Sequence, residues 1–277
     1  MSKSILLSAT VAAGAMRSDH IRQTLADQPP ALGRQCPRSR RTARVVRALA
    51  AMSKLGIVGV TAAGCGVDKF QNTNGRLLGH LASAGYAPGD IDMILFTHCH
   101  FDHLWGISDG KNASLLFPSA EFVASETEVK FWNAPELTAN VSPALKPEVT
   151  RANLKLASPR LRLIKAGTEV APGVTTIDTA GHTPGHMSVH ISSGSEELLL
   201  TADAVVNSTV SFQHPEWPFG FDQDVPLAAK ARIAFLDRAA TDKTLVGGYH
   251  FPFPGFGHVA REGSSYRWLP ADWQWTS

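Results

Sequence analysis

Residues 97–103 read Thr-His-Cys-His-Phe-Asp-His, which places three imidazoles and a carboxylate within six positions. In a chain of 277 residues with 11 histidines, this H-x-H-x-D-H pattern arises by chance in about one in a thousand sequences of the same composition. Neutral imidazole and carboxylate suit Zn²⁺ and similar borderline divalent ions. One ion takes about four such ligands. His98, His100, Asp102 and His103 are too closely spaced to surround one ion, so the pattern points to two ions that divide the cluster. Further ligands must then come from elsewhere. Gly181-His182-Thr183-Pro184-Gly185-His186 offers a histidine in a Gly/Pro turn, Leu198 to Asp203 ends an apolar run in a carboxylate, and Leu245 to His250 ends another in a histidine. Two cations about 3.5–4 Å apart lower the pKa of a shared water towards about 7 and polarise a carbonyl or phosphoryl oxygen. No Gly-x-Ser-x-Gly elbow and no Walker-type phosphate loop competes with hydrolysis by that water.

Each of these candidates follows a strand-like run, and a strand end is a rigid place from which to display a ligand. Ile91–Thr97 is a short apolar run that predicts a buried strand directly before the histidine cluster. Runs at Leu161–Ile164, Val174–Asp178, Met187–Ser192, Glu197–Thr201 and Leu245–Gly248 predict further strands, and Leu55–Thr61 predicts one before a turn at Ala63-Gly64-Cys65-Gly66. Asn72 or Thr73 can cap a helix carrying Leu77, Leu78, Leu81 and Ala82 on one face. Ser125, with Glu128 three residues on, predicts a capping box for a helix through Phe131 and Trp132. Asp224 predicts the cap of a helix through Phe235 and Leu236. Mixed helices and strands of this kind suit two packed sheets with helices outside. Between the ligand candidates, Cys99 is expected to point away as a buried thiol. His186 is expected to buttress the site rather than ligate.

Hydrophobic residues make up 44% and charged residues 18% of the chain, so it can bury a sizeable core. No run approaches the roughly 20 apolar residues of a membrane helix. The net charge of +2 is uneven. Residues 1–55 carry ten Lys/Arg against two Asp/Glu, and the rest is acidic, which argues against a nucleic-acid binder. Residues 1–54 contain no aromatic side chain and predict a basic, poorly ordered extension, with residues 55–277 as the globular domain. Three cysteines make no disulfide framework and fit a cytoplasmic protein. The apolar stretch Ile5–Ala15 behind Lys3 is a weak secretory signal, which would instead send the chain to the periplasm or outside the cell.

The histidine motif, G-H-T-P-G-H, the strand-terminal Asp203 and the late His250, in that order, resemble the metallo-β-lactamase fold superfamily over about residues 55–260. The likeness implies an α+β, four-layer αββα sandwich. It implies one ion on His98, His100 and His182, a second on Asp102, His103 and His250, and Asp203 bridging both. The ions, zinc by the resemblance, would share the hydroxide that attacks an ester-like bond, with Asp102 orienting it or protonating the leaving group. The spacings from His182 to Asp203 (21) and from Asp203 to His250 (47), with Gly248-Tyr249-His250-Phe251-Pro252-Phe253-Pro254-Gly255-Phe256-Gly257-His258, look most like the methyl parathion hydrolase branch and its quorum-quenching lactonase relatives. Two departures stand out. Ala62-Ala63-Gly64 replaces the usual Asp-Thr-Gly-like turn, and Ala204-Val205-Val206 follows Asp203 where many acyl-homoserine lactonases carry a tyrosine.

Trp105, Trp217, Phe219, Phe251 and Phe253 lie near ligand candidates in sequence and predict aromatic walls for a small apolar substrate. An aryl ester, a lactone and a phosphotriester all fit that expectation, and a homodimer is an open assembly. The alternatives are a glyoxalase-type thioesterase, which would want more basic residues near the metal edge, and a catalytically inactive metal-binding protein of the same fold.

Overall fold

Met93, Ile94, Leu95 and Phe96 are all buried, as are Phe122, Val123 and Ala124, and likewise Leu198, Leu199 and Leu200. Strands without a polar face must be covered on both sides, and that condition generates the architecture. The computed structural model describes residues 5–7, 58–59, 77–83, 86–108, 114–137, 146–253 and 255–271. The rest of the basic N-terminal stretch, the helix cap at Asn72 or Thr73 and the turns around Ala62-Ala63-Gly64-Cys65-Gly66 lie outside the described residues.

The first sheet is parallel throughout. Its strands are β1 (Ile5–Leu7), β2 (Val58–Gly59), β3 (Met93–Leu95), β4 (Glu121–Ser125) and β5 (Leu161–Ile164), in the order β2-β1-β3-β4-β5. Ile5–Leu7, inside the expected extension, therefore stands as a strand between Val58–Gly59 and Met93–Leu95. The second sheet comprises β6 (Glu169–Ala171), β7 (Val174–Asp178), β8 (Met187–Ser193), β9 (Glu196–Leu200), β10 (Leu245–Gly247), β11 (Phe256–Glu262) and β12 (Ser265–Pro270), in reverse chain order from β12 to β6. All its pairs are antiparallel except β9 with β10, so β7, β9 and β10 run the same way.

Alternate residues sort the two faces. Met93, Leu95, Val123 and Ile164 pack with Val189, Leu198, Leu200 and Leu245 between the sheets. Ile94, Phe96, Phe122 and Ala124 turn outward against helices α1 (Leu77–Ser83), α2 (Phe101–Leu104), α3 (Glu126–Asn133) and α4 (Pro147–Ala157). Leu199, Val246 and Val259 turn the other way, onto Phe212 of α5 (Val210–Gln213) and Phe235, Leu236 and Ala239 of α6 (Val225–Asp242). The order is helix, sheet, sheet, helix, as the four-layer expectation requires. No helix among the described residues is long and apolar enough to cross a membrane.

Asp224 caps α6, its carboxylate accepting from Leu227 N at 3.0 Å, as its sequence position predicts. The capping box expected at α3 does not form. Ser125 has extended backbone at the cap but makes no side-chain capping bond, and Glu128 is drawn inward to other donors. Helix α4 and the β11–β12 hairpin carry no clear sequence signal and are supplied by packing.

Candidate metal centre

β3, β7, β9 and β10 each end at one edge of the sandwich. Met187 N donates to Thr97 O at 2.9 Å, stitching the start of β8 to the end of β3 where the two sheets meet. The loop after β3 carries His98 and His100, and α2 then opens with Phe101, which brings Asp102 and His103 round on its single turn. The loop after β7 carries His182. Gly181 sits there at φ +134°, and a Cβ would fall 2.2 Å from Ala228 N, so only glycine lets this loop lie against α6. After β9 the backbone turns at Ala202, whose φ of +44° costs a non-glycine residue about 1–2 kcal/mol. That turn presents Asp203, whose backbone N–H donates to His186 Nε2 at 3.1 Å. His250 follows β10 directly.

The seven predicted ligand candidates gather into two groups that share Asp203. In the first, the ligand atoms of His98, His100, His182 and Asp203 lie within 4.8 Å of one another, and in the second those of Asp102, His103, Asp203 and His250 do the same. His100 Nδ1 is 3.1 Å from His98 Nε2 and 2.9 Å from His182 Nε2. Asp203 Oδ2 is 3.5 Å from His182 Nε2 and 3.4 Å from His250 Nε2, and its Oδ1 is 3.2 Å from His103 Nε2. Asp102 Oδ2 stands 3.4 Å from both His103 Nε2 and His250 Nε2.

Residues 64–246 match the metallo-beta-lactamase superfamily. The chain belongs to that superfamily. It is 32% identical over 160 residues to an N-acyl homoserine lactonase of a Bacillus species, covering 57% of this chain and 56% of that one. It is 31% identical over 197 residues to one from Bacillus thuringiensis, covering 70% and 66%. The chain thus spans little more than half the length of the first of these relatives. Among solved structures, it resembles AidC, a dizinc quorum-quenching lactonase in complex with a product, with a TM-score of 0.64 and 31% identity over 72% of this chain and 71% of that one. It also resembles the hydrolase AbOPH, with a TM-score of 0.65 and 32% identity over 72% and 71%.

The donor chemistry of this superfamily member fits divalent ions. Burial holds the His98 and His100 imidazoles well below their ordinary pKa, so both are neutral. His182 Nδ1 donates to Asp222 Oδ1 at 3.0 Å, which leaves its Nε2 lone pair facing the other two rings. The ring nitrogens of His98, His100 and His182 thus converge, a donor set that suits a borderline divalent ion. The second group is charged differently. Burial would push His103 down, but Asp203 and Asp102 hold it well above its ordinary value, and His250 rises to about 9 through the same two carboxylates. Those carboxylates resist the upward push of burial because His103 and His250 face them, and both are held well below the usual carboxylate range.

Behind the ligand candidates stand residues with no sequence signal of their own. Arg232, fully buried on α6, donates to Asp222 Oδ2 at 3.0 Å and to the carbonyls of Ala204, Pro215 and Trp217. It thereby fixes both Asp222 and the loop bearing Phe219. Tyr249 packs its ring 4.1 Å from His103 and donates its hydroxyl to Asp102 O at 2.9 Å. His186 belongs to neither group and accepts from Asp203 N at 3.1 Å, its pKa pushed by burial down to about 3. Cys99 is buried in the outer core, away from the ligand candidates.

The predicted aromatic walls divide. Phe219 stacks on His182 with ring centres 5.9 Å apart, and Phe221 lies 6.2 Å from His100. Trp217 stacks on His214 at 4.0 Å and stays half exposed, and Phe253 is equally open. Two expectations need correction. Trp105 is buried in the helix-covered core beside Phe101, its indole N–H directed at Thr150 Oγ1, because α4 closes over it. Phe251 is buried against Phe212 and Trp268, since the β11–β12 hairpin covers that side.

Proposed function

We propose that this chain is a binuclear metal-dependent hydrolase that opens the ring of a lactone bearing an apolar substituent. The observation that carries the reading is one carboxylate, Asp203, shared between two groups of metal-type donors. The N-acyl homoserine lactonases it resembles, and the dizinc lactonase among its structural neighbours, support the lactone. His98, His100 and His182 would hold one ion, Asp102, His103 and His250 the other, and Asp203 both. Bound there, two divalent ions, zinc by analogy with that neighbour, supply water ionised near neutral pH and polarise the carbonyl to be attacked.

The chain's own residues complete the chemistry. Asp102 is ionised and partly open to solvent at the second group. It would orient the nucleophile and pass the nucleophile's remaining proton to the alkoxide released when the ring C–O bond breaks. Tyr249 fixes the Asp102 backbone by its 2.9 Å hydrogen bond, and so the carboxylate's aim. Phe219 and Phe221 line the first group with apolar surface suited to an acyl substituent. A panel of acyl-homoserine lactones, aryl esters, thioesters and phosphotriesters, assayed with elemental analysis, tests the reading. Two ions per chain with lactone turnover leading the panel is expected. Turnover of only a thioester, or two ions with no turnover, would transfer the protein to the glyoxalase-type or inactive alternative.

A further inference from the structure

Glu128, on α3, is a fully buried carboxylate that faces neither ligand group. Among the described residues no cation pairs with it. Instead it accepts four hydrogen bonds, two on each oxygen. Oε1 takes Cys99 N at 2.9 Å and Trp132 Nε1 at 2.7 Å, and Oε2 takes Thr183 Oγ1 at 2.6 Å and Gly185 N at 3.1 Å. Cys99 separates His98 from His100, while Thr183 and Gly185 follow His182. One carboxylate therefore spans the two loops that deliver the three histidines of the first group, and neither of its oxygens reaches toward the second.

The loops are built to meet it. A Cβ at Gly185 would lie 2.2 Å from Glu128 N, so the second glycine of Gly-His-Thr-Pro-Gly-His is required for the approach. Trp132, one turn along α3, both donates to Glu128 and sets its ring edge-on to His100 at 5.6 Å. Burial pushes the Glu128 carboxyl up, and the four donors oppose that push. Such a group is retained against its desolvation only where its geometry is fully satisfied.

We infer that Glu128 is a positioning residue that sets the spacing of the His98–His100 loop against the His182 loop, and so tunes metal affinity at the first group and not at the second. The inference rests on the two-ion reading above. Glutamine has the shape but only one acceptor oxygen, so Glu128→Gln faces an amide NH₂ toward one pair of donors and loses the span.

The test is zinc binding to the chelator-stripped full-length chain, read by competition with a chromophoric chelator in two backgrounds. His250→Ala leaves the first group to be read, and His182→Ala leaves the second. Glu128→Gln is expected to weaken zinc binding about 10- to 100-fold in the His250→Ala background. In the His182→Ala background it should change affinity less than about threefold, within the context scatter of a remote site. Equal weakening in both backgrounds, or none in the first, overturns the inference. Should Glu128→Gln fail to fold, Thr183→Val removes a single donor and should weaken the first group about fivefold, with Thr183→Ser restoring it. An unchanged first group in a folded Thr183→Val also overturns the inference. A wild-type chain that binds no zinc overturns the two-ion reading and this inference with it, whereas two ions with an indifferent Glu128→Gln overturns only the latter.

Discussion

The two donor groups share a carboxylate yet differ in almost everything else. His98, His100 and His182 are buried and backed from behind by Thr97, Glu128 and Asp222. Asp102 and His250 have side chains 20% and 37% exposed, and in the second group two carboxylates face two imidazoles and raise their pKa values. The first group is enclosed by scaffold, and hydrogen bonds from behind orient the His98 and His182 rings. The second opens outward to solvent. Rigidity and access are thus divided between neighbouring sites rather than compromised in one.

The largest effect should come from the residue that joins them. Asp203→Ala is expected to lower hydrolysis by about 10³-fold or more, since several kcal/mol of charge stabilisation go with the ions. The variant should remain folded by circular dichroism while elemental analysis finds fewer than one ion per chain. Two retained ions with full turnover would dissolve the shared site altogether.

Removing one histidine from each side sharpens the contrast. His182→Ala and His250→Ala should each leave one ion per chain. Heating with and without zinc should then differ: at zinc about 1,000-fold above its Kd, binding to the folded state adds about 4 kcal/mol per site. The His250→Ala chain, keeping the enclosed group, is expected to show the larger zinc-dependent rise in Tm. Equal rises in the two variants would mean that enclosure confers nothing.

A smaller loss is expected from Asp222→Asn. It keeps the shape but weakens the bond that orients His182 Nδ1, and should reduce zinc affinity at the enclosed group about 10-fold or more. Chelator competition measures it, and the open group should be indifferent. Least of all, Phe219→Ala removes an aromatic wall beside His182. It should raise KM for a long-chain acyl lactone about fivefold, about 1 kcal/mol of apolar contact, with kcat little changed. A fall confined to kcat would place Phe219 with the chemistry instead.

The ligand candidates were legible because metal ligation demands particular atoms, and those atoms announce themselves in His-x-His-x-Asp-His and at strand ends. The residues behind them were not. Glu128 reads in sequence as the far end of a capping box, and only the approach of Thr183 and Gly185 shows that its carboxylate faces inward. Asp222 and Arg232 sit among ordinary loop and helix positions, 40 and 50 residues beyond His182. Aromatic residues misled for the same reason. Trp105, Phe219 and Phe251 look alike as apolar neighbours of ligand candidates, yet one is closed off by α4, one meets His182 and one supports a hairpin.

By itself the chain dictated its donor atoms, its buried strands and the glycines that let His182 approach two helices, because element type and backbone freedom are local properties. Which donors converge on one another, and which carboxylate instead bonds two loops, were settled by tertiary packing. Those outcomes depend on distances and desolvation between residues as far apart as Asp102 and His250, and such quantities exist only once the two sheets have met.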